Sequence, residues 1–292
     1  MLAAFDIGNS RVSIGVFDGE QIHASFSLAT DVRRTAEEYG LLLASLFFEH
    51  GIERDHITAV VMASVVPTLT KAFAQIAQDR FGVQALTIGA GTRTGIRIAT
   101  HNPREVGTDR VVNAVAVHHL YDGPAIVVDC STATAFDVVG EDGTYLGSVL
   151  APGLAIAAEA LFLQAARLHR VELAIPESVV GKDTTSALQS GLLFGHIALV
   201  EGLIARIQAE QGWRGTVVAT GELAPLFVAH ADGIDHYEAH LTLIGLQVLH
   251  TMNDEPTEEH HAPPGPPHTP APLARRAIVE PSIPRLSRPP KR

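Results

Sequence analysis

The stretch that decides the fold is Leu2-Ala3-Ala4-Phe5-Asp6-Ile7-Gly8-Asn9-Ser10-Arg11-Val12-Ser13, near the N-terminus. A short apolar run ends in an acid, and a turn of small residues follows. A second apolar run, Val12 to Phe17, then leads to Asp18-Gly19. Apolar segments of this length between turn residues read as strands, and Asp-Gly between them reads as a hairpin. The same order of features returns at Asp129-Cys130-Ser131-Thr132-Ala133-Thr134 and Asp142-Gly143. The two acids lie 123 residues apart and the two hairpins 124. A repeat at domain length predicts two related domains facing each other across a cleft.

Working outward, Gln21 to Leu28 reads as a third strand and Thr35 to His50 as an amphipathic helix, with Leu41, Leu42, Ser45 and Leu46 at helical spacing. Ile57 to Ala63 and Val83 to Ile88 read as strands around a helix that starts after Pro67. The second set comprises strands at Ala125 to Cys130, Ala133 to Val139 and Tyr145 to Leu150. Helices at Leu154 to Leu168 and Thr184 to Gln211 follow, then a strand at Thr216 to Thr220. The expected class is α/β, with a first domain over residues 1–117 and a second over 118–253. Residues 254–292 are expected to form a disordered Pro-rich tail. They hold 11 of the 17 prolines, and six Lys or Arg against five acids, with too little apolar surface to offset ordering entropy. The tail reads as an unstructured extension without specific function, with contact of its basic end to an anionic partner as the alternative.

Composition excludes several classes. Hydrophobic residues make up 46% of the 292, enough for two cores, but aromatics are only 5%, so Ala, Val, Leu and Ile must do most of the packing. Continuous apolar runs such as Ala59 to Ala63 are far shorter than the roughly 18 residues of a membrane helix. Asp6 interrupts the run from Met1, which argues against a signal peptide. The lone cysteine, Cys130, cannot form an internal disulfide, so a reducing cytoplasm is the expected compartment. A net charge of −11 argues against a general nucleic-acid binder.

The two turns also carry chemistry. Small residues after a strand let backbone N–H groups approach an anion, and Ser and Thr hydroxyls add donors. A carboxylate at the same strand end repels phosphate unless a cation lies between them. An acid next to such a turn therefore predicts a metal–phosphate site, and two copies at matching positions strengthen the reading.

The chain resembles the type III pantothenate kinases, members of the sugar kinase, Hsp70 and actin superfamily of duplicated ribonuclease-H-like domains. The resemblance spans nearly all of residues 2–250. After Asp6 to Ser10 it runs through Ala63-Ser64-Val65-Val66-Pro67, then Asn102-Pro103-Arg104-Glu105-Val106-Gly107-Thr108-Asp109-Arg110 with Asn113-Ala114, then Asp129 to Thr134. Ala151-Pro152-Gly153-Leu154, Arg170 to Leu173, Val180 to Thr184, Ala219-Thr220-Gly221 and Leu241-Thr242-Leu243 complete the order. The resemblance implies ATP-dependent phosphorylation of the primary hydroxyl of pantothenate, the first step of coenzyme A synthesis, by a cytoplasmic homodimer. It implies that Asp109 is the catalytic base and that Asp6 organises Mg²⁺ on the ATP phosphates. Ile7, Gly8, Asn9, Ser10, Arg11, Val12 and Ser13 would form the first phosphate loop, and Thr132 would belong to the second. Asp129 would hold a monovalent cation, K⁺ or NH₄⁺, while Gly107, Thr108, Asp109, Arg110 and Thr184 would hold pantothenate.

The chain departs from that pattern at a few places. Ser131 and Ser148 stand where the family usually has Gly, and Asp183 where it has Asn. Thr100-His101 replaces a common tyrosine, and Ile244 a more usual polar residue. A side chain at Ser131 is expected to cost phosphate binding if that position needs a positive φ or close contact. A catalytically silent relative acting as a regulator, and a kinase of another small polyol, remain alternatives at this point. Gly89 to Gly95 lacks the spacing of a dinucleotide fingerprint and reads as a loop. Gly181-Lys182-Asp183-Thr184 is not a phosphate loop of the Gly-Lys-Ser/Thr type. His118 and His119 have no second cluster at metal-ligand spacing, and Cys130 reads as a packed small residue.

Overall fold

A computed structural model describes residues 1–164 and 168–254. The expected tail beyond residue 254, and the end of the helix expected over 154–168, lie outside the described residues. The first sheet contains β1 (Leu2–Ile7), β2 (Arg11–Asp18), β3 (Gln21–Ala29), β4 (Ala59–Ser64) and β5 (Leu86–Thr87), in the order β3-β2-β1-β4-β5. The second contains β6 (Ala125–Cys130), β7 (Ala133–Val139), β8 (Tyr145–Pro152), β9 (Thr216–Thr220) and β10 (His236–Tyr237), in the order β10-β9-β6-β7-β8. Read from the other edge, the second order is the first. The pairing senses also agree, since β1 is antiparallel to β2 and parallel to β4, and β6 is antiparallel to β7 and parallel to β9. Even the irregularities match, at Val16/Phe17 in one sheet and Val138/Val139 in the other. The duplication seen in two turns extends through the whole of both sheets.

Among the described residues the longer helices are α1 (Ala36–Glu49), α2 (Pro67–Ile76), α3 (Thr108–Leu120), α4 (Leu154–Gln164), α5 (Thr184–Gln211) and α6 (Leu241–Asp254). Local chemistry sets several of their ends. Thr35 and Glu38 form a capping box on α1, with Glu38 N–H donating to Thr35 Oγ1 at 3.3 Å and Thr35 N–H to Glu38 Oε2 at 2.8 Å. Pro67 stands at the start of α2, where its missing N–H costs nothing. α5 is closed by Gly212 at φ 73°, a left-handed position that Gly adopts freely. At 28 residues α5 is long and apolar enough to cross a bilayer by length and composition. Here one stripe, Leu193, Ile197, Val200, Ile204 and Ile207, is buried against the second sheet.

Side-chain alternation decides which way the strand ends face. In β1, Ala3, Phe5 and Ile7 pack with Tyr39 of α1 and Phe73 of α2 on one face. Leu2 and Ala4 pack on the other with Val112 and Val115 of α3 and Leu246 of α6. In β6, Ile126, Val128 and Cys130 point to α4 and α5, whereas Ala125 and Val127 join Ala114 and Val117 of α3 and Leu241 of α6. Asp6 and Asp129 share the parity of Ala4 and Val127, so both are directed at one layer, α3 with α6, between the sheets. The two helices meet at backbone contact, because a Cβ on Gly245 would strike the Val112 carbonyl. α6 thus packs on the first sheet although it follows the second in sequence, and the expected boundary at 117/118 falls inside α3. β5 is shorter than the expected Val83 to Ile88, because Val83 N–H is still tied back to the Ala77 carbonyl at 3.2 Å.

Candidate active site

The first turn is held by main chain. Gly8 N–H donates to the Arg11 carbonyl at 2.9 Å, and Thr30 Oγ1 donates to the Gly8 carbonyl at 2.7 Å. Ile7 and Val12 are buried in the first core and offer the turn only their backbones, while Ser13 pairs across the ladder with Asp6. Asn9, Ser10 and Arg11 are exposed. The second turn meets the first directly, with Ser10 Oγ 2.7 Å from Thr132 Oγ1. Arg11 also crosses the cleft to an ion pair with Glu222, just after β9. Glu222 was invisible to sequence reasoning, because nothing local marks an exposed glutamate as the partner of an arginine 211 residues away.

Asp129 ends β6. Asn113 Nδ2 of α3 donates to its Oδ2 at 3.4 Å, and Thr242 Oγ1 of α6 donates to Asn113 Oδ1 at 2.7 Å. The motifs at Asn113-Ala114 and Leu241-Thr242-Leu243 therefore support one carboxylate. Asp129 Oδ1 is buried and has no hydrogen-bond partner among the described residues. Beside it runs Gly221 at φ 92°, where a Cβ would lie 2.7 Å from Asp129 Oδ1 and 2.6 Å from the Cys130 carbonyl oxygen. A crevice closed to a methyl group and lined by carboxylate and carbonyl oxygens suits a hard cation. No three His, Cys, Asp or Glu side chains among the described residues are grouped to chelate one ion, so such a cation would also use carbonyl oxygens.

Asp109 lies in the first turn of α3, after Gly107 as N-cap. Thr108 Oγ1 donates to the Ser64 carbonyl at 3.3 Å, which ties this turn to the end of β4 beside β1. A Cβ on Gly107 would strike Asp109 Oδ1, so any side chain there would displace the Asp109 carboxylate. The next residue, Arg110, is held from several sides. Its Nη1 donates to Ser148 Oγ at 2.7 Å and to Tyr145 Oη at 3.5 Å, and its Nη2 to the Glu105 carbonyl at 3.4 Å. Beneath it, Asp137 is fully buried in β7, accepts from Tyr145 Oη at 2.6 Å, and lies 4.0 Å from Arg110 Nη1. Sequence reasoning passed over Asp137 and Tyr145. The available sign was an acid inside the apolar strand Ala133 to Val139, since buried carboxylates are rare unless they are partnered. Thr184 is exposed at the start of α5, and no hydrogen bond joins it to Asp109 or Arg110 among the described residues.

The departures have local accounts. Among the described residues none but glycine has a positive φ, so Ser131 is unstrained, and the backbone reason for requiring Gly there does not apply. Asp183 caps α5, accepting from Ser186 N–H at 2.9 Å, a role in which Asp and Asn are equivalent. Ser148 supplies a hydroxyl to Arg110 that glycine could not.

Three acids are pushed up by burial. Asp6 rises to about 8, through burial first and then the nearby Asp109 and Asp129 charges. Asp129 rises to about 6 through burial and Asp109, with Ser131 and Asn113 offsetting part of this. Asp137 rises to about 7 through burial, countered by Tyr145 and Arg110. A carboxyl group with a raised folded pKa stabilises the fold fully below its unfolded value, near 4, and that stabilisation is lost as pH rises through the folded value. Chelated, potassium-free protein is therefore expected to melt lower at pH 8 than at pH 5.5, by about 5 °C or more, and Asp6→Asn to flatten that slope. Parallel wild-type and variant melting curves across this range would remove Asp6 as the source.

Two copies of one mixed sheet, each carrying a carboxylate near the end of its central strand and a donor-rich turn after it, define a class of fold: the duplicated ribonuclease-H-like, or actin-like, proteins. A family profile described as type III pantothenate kinase matches residues 2–206. The type III pantothenate kinase of Moorella thermoacetica is 47% identical over 253 residues, covering 87% of this chain and all of that one. The enzyme of the same name from an Exiguobacterium species is 41% identical over 255 residues, again covering 87% of this chain and all of its own. Among solved structures, a Baf family protein from Campylobacter jejuni superposes with a TM-score of 0.53 at 17% identity, covering 86% of this chain and 98% of that one, which supports the fold alone. This chain belongs to the type III pantothenate kinase family.

Proposed function

We propose that the protein phosphorylates the primary hydroxyl of pantothenate with ATP, giving 4′-phosphopantothenate and ADP at the entry to coenzyme A synthesis. The observation that carries this reading is the convergence on α3. Asp109 and Arg110 stand at the helix start, where the Asp109 charge acts on both Asp6 of β1 and Asp129 of β6. In this reading the backbone of Gly8 to Ser13 and the hydroxyls of Ser10 and Thr132 receive the ATP phosphates. Gly107, Thr108, Arg110 and Thr184 hold pantothenate, Arg110 by its charge. Asp109 accepts the proton of the attacking hydroxyl as its oxygen bonds to the γ-phosphorus. The bond from that phosphorus to the β–γ bridging oxygen breaks, and ADP leaves. Phosphoryl transfer through a loose transition state depends mainly on such positioning.

Asp6 is suited to Mg²⁺ bound with ATP, and Asp129 with neighbouring carbonyls to K⁺ or NH₄⁺. When bound, these cations supply charge neutralisation at the phosphates. A homodimer is supported by edge strand β8 and helix α4, which expose Leu146, Leu150, Ile156, Leu161 and Leu163. A cytoplasmic site of action fits substrates found there and the single buried thiol. The test is ADP release by purified protein with ATP, Mg²⁺ and K⁺, with and without pantothenate. Pantothenate-dependent release with one phosphate transferred per ADP is the expected result, and release indifferent to pantothenate would overturn the assignment.

A further inference from the structure

Asp137 is the one charged side chain fully buried among the described residues of either sheet, and the phosphoryl-transfer chemistry above makes no use of it. It sits mid-strand among Ala135, Phe136, Val138 and Val139, with Ser148 directly opposite on β8. Burying a carboxylate is costly unless its partners compensate. Only one of its oxygens has a hydrogen-bond partner: Oδ1 takes the Tyr145 hydroxyl at 2.6 Å, while Oδ2 has none among the described residues. With its proton committed to Asp137, the Tyr145 oxygen is left to accept from Arg110 Nη1 at 3.5 Å. The chain of donors runs from Arg110 to Tyr145 to Asp137, from α3 through β8 to β7.

An arginine side chain free to rotate would lose several rotamers on binding an anion. Here Ser148, Tyr145 and the Glu105 carbonyl fix the guanidinium in advance, and Asp137 fixes the direction of the tyrosine hydroxyl. We infer that Asp137 and Tyr145 are positioning residues that preset Arg110 to receive the carboxylate of the acceptor substrate, and so determine its preference for an anionic acceptor. This inference rests on the pantothenate kinase reading above.

The experiment compares wild type with Tyr145→Phe and Asp137→Asn. It measures kcat and KM for pantothenate, KM for ATP, and kcat/KM for the neutral analogue in which the pantothenate carboxylate is replaced by a primary alcohol. Each variant is expected to raise the pantothenate KM about tenfold, with kcat within about threefold and the ATP KM unchanged. The preference for acid over alcohol should fall by a similar factor. The double variant should be no worse than the worse single one, because both act through the same guanidinium. Losses spread equally over kcat, both KM values and both acceptors, or an unchanged preference for the acid, would overturn the inference. Should both variants fail to fold, Ser148→Ala at the exposed end of the same network carries the test, with a threefold or greater rise in pantothenate KM expected and an unchanged KM refuting it. A wild type that phosphorylates neither acceptor fails the functional reading instead, and is distinguished by that control alone.

Discussion

Asp109→Asn is expected to lower kcat by about three orders of magnitude, in the range that removal of a positioned general base produces, while ATP binding persists. The substitution keeps size and hydrogen-bonding shape in the first turn of α3, beside Gly107 and below the Thr108 contact with Ser64. What it removes is the site that takes the hydroxyl proton during transfer. A carboxylate is a weak base, but a loose transition state asks it mainly to orient the nucleophile. Melting temperature and nucleotide affinity should match wild type within error, apart from relief of the repulsion that Asp109 exerts on Asp6 and Asp129. Steady-state turnover together with calorimetric ATP titration provides the check. A rate within tenfold of wild type would move the base role to another group.

The second large effect is expected at Asp129. Its Oδ1 is buried without a partner, and its Oδ2 is oriented by Asn113, which Thr242 orients in turn. A carboxylate held this way, beside a glycine that leaves room for no side chain, is poised for a cation. Asp129→Asn should therefore abolish the response to K⁺ and weaken the apparent ATP affinity by about tenfold or more, since even outer partners of a metal ligand are worth about 10- to 100-fold. A readout independent of turnover is the thermal shift. K⁺ should raise the melting temperature of wild type more than Na⁺ does, by mass action on the folded state, and this difference should vanish in the variant. An undiminished K⁺ shift in Asp129→Asn would assign the ion elsewhere.

Of the two residues, Asp129 is legible from the repeat within the chain, and Asp109 from the chain's resemblance to the family. Asp6 and Asp129 stood out because a strand, an acid and a small-residue turn recurred 123 residues apart, and the two sheets carry that repeat through order, sense and bulge position. Ser131 looked costly from sequence, yet its backbone lies outside the left-handed region and its side chain faces Asp129. A sequence reveals that a glycine has been replaced, whereas whether the glycine was needed depends on a φ angle. Asp137 went unnoticed for a related reason. The apolar run around it marks a strand, but its meaning depends on Tyr145 and Arg110, eight and 27 residues away on other elements.

The sequence by itself determined the strands of the two repeats, helices α1, α2 and α5, the duplicated plan and the acids near the strand ends, but it marked neither α6 nor β10. Those depend on periods of two and 3.6 residues and on capping chemistry, which act over a few neighbours; α5 and β9 begin and end where Asp183, Gly212 and the apolar run at Thr216 to Thr220 say they should. Only the tertiary structure decided that α6 returns to the first sheet, that α3 serves both sheets, and that Arg11 meets Glu222 while Arg110 rests on Tyr145 and Asp137. Arg11 and Glu222 lie 211 positions apart, and α6 is further still in sequence from the strand β1 it covers. Their partners are chosen by how whole layers bury their apolar faces, and no local pattern of side chains encodes that choice.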